Sequence, residues 1–317
     1  MKAKYLFPPY FRIIGILLAI PGLILGYLFI FHGYNIPGFD SGADSNHMLG
    51  KLANYTNEIA LTLAVIGFLF IAFSKVKRED ELTAYLRLNA LYWAVLINYL
   101  FYGKSLIMDG IGMMVSPDAY GGEVHDFISY NLCTPLIIFC LRFYYLLYKN
   151  KQSNEVPRLP LLKISAFTKI VRLLCILGTV VAVIMAVYTL GFNTFFDDEP
   201  KWANYLYSLY YFMPFLFLLW AYSKEPAEDE LISSLRLEAM QIAVYVNYAV
   251  LLISNFSFFY FEFLIVQVFN LSTIPLIFLI IFRYRLFRLS RQQYPEDAAD
   301  SGALETDPSI GLKHTNN

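Results

Sequence analysis

A chain of 317 residues that is 58% hydrophobic, 18% aromatic and only 15% charged, with a formal net charge of -1, departs from the composition of a soluble protein, in which about 45–50% apolar and about 25% charged residues are usual. A nucleic-acid-binding surface would need clustered basic residues on a folded polar face, and here Lys and Arg sit beside apolar runs, so the composition selects the lipid bilayer as partner and excludes nucleic acid. Cys133, Cys140 and Cys175 lie inside apolar runs with no CxxC or CxxH spacing, which indicates neither a disulfide framework nor a zinc site.

Crossing the hydrocarbon takes about 20 apolar residues, and eight runs approach that length: 12–31, 55–73, 82–102, 127–148, 170–192, 205–222, 231–254 and 260–282. The first reads as a retained span, because no small-residue cleavage site follows it as in a signal peptide. Lys and Arg bias in short loops sets orientation. With the N-terminus inside, the inner segments hold Lys2, Lys4, Arg12, the "SKVKR" at 74–78, Lys149, Lys151, Lys224 and the "RYRLFRLSR" at 283–291. The opposite face keeps only Lys51, Lys104 and Lys201, beside acids such as Asp40, Asp118, Asp197 and Asp198. Both termini are therefore expected in the cytoplasm.

The third and seventh runs open on one motif. "EDELTAYLRLNA" begins at Glu79 and "EDELISSLRLEA" at Glu228, and 14 of 26 positions agree between 74–99 and 223–248. Further on, "YNLCTPLIIF" around Asn131 echoes "FNLSTIPLIF" around Asn270. The chain thus reads as a duplicated unit: a first four-helix repeat at 1–150, a linker at 151–162, a second repeat at 163–291, and a disordered acidic tail at 292–317, rich in Asp, Glu, Pro and Ser. Four spans being an even number, both units enter the bilayer the same way up. The expected fold is all-α, with eight transmembrane helices in two tandem repeats about a pseudo-twofold axis along the membrane normal.

On a helix entering from the cytoplasm, Glu79, Asp80 and Glu81 (and likewise Glu228, Asp229 and Glu230) fall in the first turn, where unpaired N–H groups and the helix dipole favour carboxylates. Asp80, Arg87, Ala94 and Asn98 share one face, as do Asp229, Arg236, Ala243 and Asn247. Arg87 could reach lipid phosphate from near the interface. The doubling of both signs favours another arrangement, in which each acid cluster meets the other half's arginine across the axis. Asn98 lies too deep to reach water, and Asn131 and Thr134 match it in depth as partners. Together with Asn247, Asn270 and Thr273 they form a candidate intramembrane polar stripe.

The motif resembles that of a group of multi-pass membrane proteins of Bacteroidota: Lys75, then Glu79-Asp80-Glu81-Leu82, three residues, Leu86-Arg87, an Asn-containing span and an N-x-x-T sequence at Asn131–Thr134. The likeness covers 74–149 and 223–288 and is weak over the first two spans of each half. It implies single four-span units that pair as dimers, of which this chain would be a fused version, and it carries no activity.

HExxH, GxSxG, a P-loop and a Rossmann fingerprint are all missing from the sequence. His32, His47, His125 and His314 have no counterparts across the repeat, as paired haem or zinc ligands would require. No catalytic residue, cofactor or metal is expected. The reading that follows is a non-enzymatic membrane protein for sensing, regulation or docking of a cytoplasmic partner. A transporter or channel with an Asn-lined path between the repeats is the alternative, and a membrane-surface enzyme of unrecognised type the third.

Overall fold

The computed structural model describes residues 6–39, 54–76, 79–115, 131–150, 157, 159–162, 169–181, 212–225, 229–257 and 260–304. Within them the chain is helical: α1 Phe11–His32, α2 Thr56–Phe73, α3 Glu81–Val115, α4 Thr134–Asn150, α5 at 169–181, α6 Phe212–Ala221, α7 Glu230–Ser257 and α8 Tyr260–Leu304. Among the described residues no strand forms, and β-type pairing is limited to two isolated bridges.

Among the described residues four stretches are long and apolar enough to cross a membrane: α1, α2, α7 and Phe269–Arg291 within α8. Eight were expected. α4 and α6 are shorter here, and their expected starts at 127–130 and 205–211 lie outside the described residues, as does most of the second half of the fifth run. α3 is 35 residues long, but Asn89, Asn98, Lys104, Ser105 and Asp109 dilute its apolar character. It also runs thirteen residues past the expected end at 102, through Gly103, Gly110 and Gly112, so intrinsic helix propensity does not account for the extension. α8 likewise continues to Leu304, beyond 291, where the sequence pattern places the start of a disordered tail. Residues 305–317 lie outside the described set.

α1 and α2 meet backbone to backbone. A Cβ added at Gly67 would sit 2.5 Å from the Ala19 nitrogen, one at Gly22 2.5 Å from the Ala64 nitrogen, and one at Gly15 2.6 Å from the Gly67 oxygen. Small residues at such a crossing let two membrane helices gain dispersion contacts that larger side chains would forbid. The rest of α1 presents Ile13, Leu17, Ile20, Ile24 and Phe31 outward, a surface suited to lipid and costly in water.

α3 and α7 form the middle. α3 packs on α4 and α7, α7 on α8, and α2 touches both α4 and α7. Tyr92, Tyr102, Phe73, Phe139, Phe143, Tyr222, Tyr248, Phe278 and Phe282 are among the largest fully buried side chains of this core. At the ends of α2 and α6 two short extended segments are strapped on in the same way. Phe7 N–H donates to the Phe73 carbonyl and Lys75 N–H to the Phe7 carbonyl, both at 2.9 Å, while Leu162 N–H donates to Tyr222 at 2.8 Å and Lys224 N–H to Leu162 at 3.0 Å.

Candidate functional site

The carboxylates of the motif divide their work. Asp80 is the N-cap of α3: its carbonyl accepts from Ala84 N–H at 3.1 Å and its Oδ1 from Thr83 N–H at 2.7 Å. Asp229 repeats this on α7, accepting from Ser233 N–H at 3.0 Å and, through Oδ1, from Ile232 N–H at 2.7 Å. Such caps satisfy donors that a helix start leaves unpaired. Donation by Thr83, first through its hydroxyl and then its N–H, holds the Asp80 carboxyl below the usual range. Glu81 and Glu230 stand exposed in the first turns of α3 and α7, and Glu228 lies outside the described residues.

Glu79 has a different task. It accepts from Val76 N–H at 3.0 Å and holds Arg87 Nη2 through both carboxylate oxygens at 3.0 Å. Arg87 Nη1 donates to the carbonyls of Ala72 at 2.9 Å and Ser74 at 3.1 Å, and its guanidinium lies 4.5 Å from the centre of the Phe143 ring. It is 1% exposed. The arginine therefore does not extend to lipid phosphate, and its carboxylate is that of its own half, so the crossed acid–arginine pairing expected from the sequence is replaced by a local latch. The physical reason is the end of α2, whose last carbonyls have no partner within the helix and lie where a cation is also favoured by the dipole.

Arg236 closes the second half in the same manner. It donates to the Ala221 carbonyl at 2.7 Å and the Ser223 carbonyl at 3.2 Å, and stacks 4.6 Å from the Phe282 ring centre. It also reaches the Tyr92 hydroxyl at 3.3 Å, a residue of the first half that sequence reasoning did not single out. Tyr92 in turn donates to the Ala221 carbonyl at 2.9 Å, and Tyr222 donates back to the Tyr92 carbonyl. Around this rim, Glu225 pairs with Arg283 at 2.6 Å and Arg172 at 3.4 Å, and the Pro157 carbonyl accepts from Tyr85 at 3.0 Å and Asn89 at 3.1 Å. An acid following the lysine at 224 was the available signal for Glu225; nothing local marked Tyr92.

Deeper in the bundle, Asn98, Asn131, Asn247 and Asn270 line one cavity of about 30 Å³, together with Gln267, Tyr99 and Tyr248. Two tyrosine hydroxyls cross it in opposite senses. Tyr99 on α3 donates to the Leu271 carbonyl on α8, and Tyr248 on α7 donates to the Leu132 carbonyl, just before α4, at 3.2 Å. The Thr273 hydroxyl bonds Asn247 Oδ1 and lies 2.7 Å from the Asn270 carbonyl. Thr134 begins α4, its N–H donating to the Asn131 carbonyl at 3.3 Å. The expected bond from Asn98 to Asn131 or Thr134 is not made by Asn98 Oδ1, which has no protein partner, and neither has Asn131 Oδ1.

Among the described residues no group of three His, Cys, Asp or Glu converges in a way that could hold a metal ion. Comparison of the chain with protein-family models, with curated proteins and with solved structures finds no match.

Proposed function

We propose that this is a non-enzymatic, multi-pass protein of a bacterial cytoplasmic membrane, with eight spans in two upright four-helix repeats, both termini inside, and a role in sensing, regulation or partner docking. The observation that carries the reading is the use made of the motif's charges. Arg87 and Arg236 are consumed in holding carbonyls at the ends of α2 and α6, and Asp80 and Asp229 in capping α3 and α7. Charged groups committed to the scaffold in this way make a stiff rim out of segments that would otherwise be loose, and a stiff rim presents its exposed carboxylates at fixed positions, which lowers the entropic cost of docking.

Support for the pseudo-twofold arrangement comes from contacts that recur in both halves: the straps at Phe7 and Leu162, the two buried arginines, and the reciprocal tyrosine bonds across the cavity. Site-directed photo-crosslinking from positions 81 and 230 in native membranes tests the docking reading. A discrete partner captured from both positions, and lost on Glu81→Lys with Glu230→Lys while the protein stays folded, is the expected result; the same background from these positions as from a site on the opposite face would overturn it.

A second reading is favoured by one observation, the amide-lined cavity between the halves. Intramembrane polar residues commonly line solute paths, and flux through proteoliposomes, compared with Asn98→Leu/Asn247→Leu vesicles, measures it directly.

A further inference from the structure

Three amide atoms at the cavity have no hydrogen-bond partner in the protein: Asn98 Oδ1, Asn131 Oδ1 and Asn270 Nδ2. Asn98 is only 5% exposed. A buried amide atom left in that condition costs about 1–3 kcal/mol, so three around one space call for a common partner. The required chemistry is specific. Two of the atoms are acceptors and one is a donor, and the partner must offer two hydrogens and a lone pair at once. A cation could satisfy the oxygens but would repel the Asn270 N–H; an anion would do the reverse. Water meets both demands, and a buried water typically makes about three hydrogen bonds to such groups.

Size agrees with chemistry. The cavity holds about 30 Å³, and a water needs roughly 10–15 Å³ of such space. We propose that this cavity is an internal hydration site holding one or two waters, with a water donating to Asn98 Oδ1 and Asn131 Oδ1 and accepting from Asn270 Nδ2. The site joins α3 and the residues just before α4 to α8, alongside the Tyr99 bond from α3 to α8 and the Tyr248 bond from α7 to Leu132. Water is thereby a structural component of the seam, binding the first half of the chain to the second inside a membrane-embedded core. This holds whether the protein docks a partner or passes a solute.

Synchrotron hydroxyl-radical footprinting of the purified full chain in detergent tests it, because radicals generated from bound water modify the side chains beside it even where bulk solvent is excluded. Tyr99 and Tyr248, which line the cavity, are compared with Phe73 and Phe139, which are equally buried away from it. The expected result is many-fold faster modification of the two tyrosines, slow to acquire oxygen-18 after mixing with labelled water, and loss of that modification in Asn98→Leu/Asn270→Leu. Modification of Tyr99 and Tyr248 no faster than of Phe73 and Phe139 in the unaltered protein overturns the proposal, and that comparison stands even if the variants do not fold. A rate unchanged in a folded Asn98→Leu/Asn270→Leu variant also overturns it, since the water would then owe nothing to the amides.

Discussion

Replacing Arg87 by Met keeps the length and apolar stem of the side chain and removes only the guanidinium. The loss is large because the group is 1% exposed and makes four hydrogen bonds: two to Glu79 and one each to the Ala72 and Ser74 carbonyls. Glu79, its side chain 15% exposed, is left as an uncompensated carboxylate, and two carbonyls at the end of α2 lose their donor. Removing one partner of a buried ion pair costs about 3–5 kcal/mol, which sets the expected destabilisation. Arg87→Lys keeps the charge but not the fork that spans carboxylate and carbonyls together, and falls between the two. Adding Glu79→Gln to Arg87→Met recovers part of the loss, because the stranded charge goes with it. Unfolding by denaturant titration in detergent micelles, followed by Trp fluorescence, measures all four proteins. A loss for Arg87→Met within about 1 kcal/mol, the value of an exposed surface pair, would refute the latch, as would rescue of Arg87→Glu by Asp229→Arg, which only a crossed pairing allows.

Tyr99→Phe and Tyr248→Phe each delete one bond between the halves and should each cost about 0.6–2 kcal/mol in the same titration, with the carbonyls of Leu271 and Leu132 losing their donors. Gly67→Ala should destabilise by about 1–3 kcal/mol, since its Cβ would meet backbone at 2.5 Å and must push α1 from α2. A Cβ at Gly110 on α3 meets nothing within 4 Å, so Gly110→Ala should instead stabilise by about 0.5–1 kcal/mol; equal effects at the two sites would contradict the close crossing. The Asp80 carboxyl is held below its ordinary value of 3.8, so its capping contribution is complete above that value and is lost as pH falls through the lower, folded one. Asp80→Asn, which keeps an acceptor but cannot titrate, should flatten the acid limb of a melting-temperature profile recorded from neutral pH down to about pH 3.

What the sequence determined by itself was the solvent and the local register. Apolar composition and run length select lipid, and Asp80 and Asp229 cap their helices wherever those helices go, because the unpaired N–H groups are a property of the helix end alone. The duplicated motif also identified in advance Arg87, Arg236 and the four asparagines as the polar residues to follow. The partners of those residues were decided only in three dimensions. Arg87 meets Glu79 rather than an acid of the other half because the strap at Phe7 and the end of α2 bring carbonyls beneath it, and a cation settles where several acceptors converge. Tyr99 and Leu271, 172 positions apart, and Tyr248 and Leu132, 116 apart, meet through helix packing that no local periodicity encodes. The amides gather around one cavity for the same reason: a stripe on a helix fixes the face a residue occupies, whereas the neighbour opposite that face is set by how α3, α7 and α8 pack.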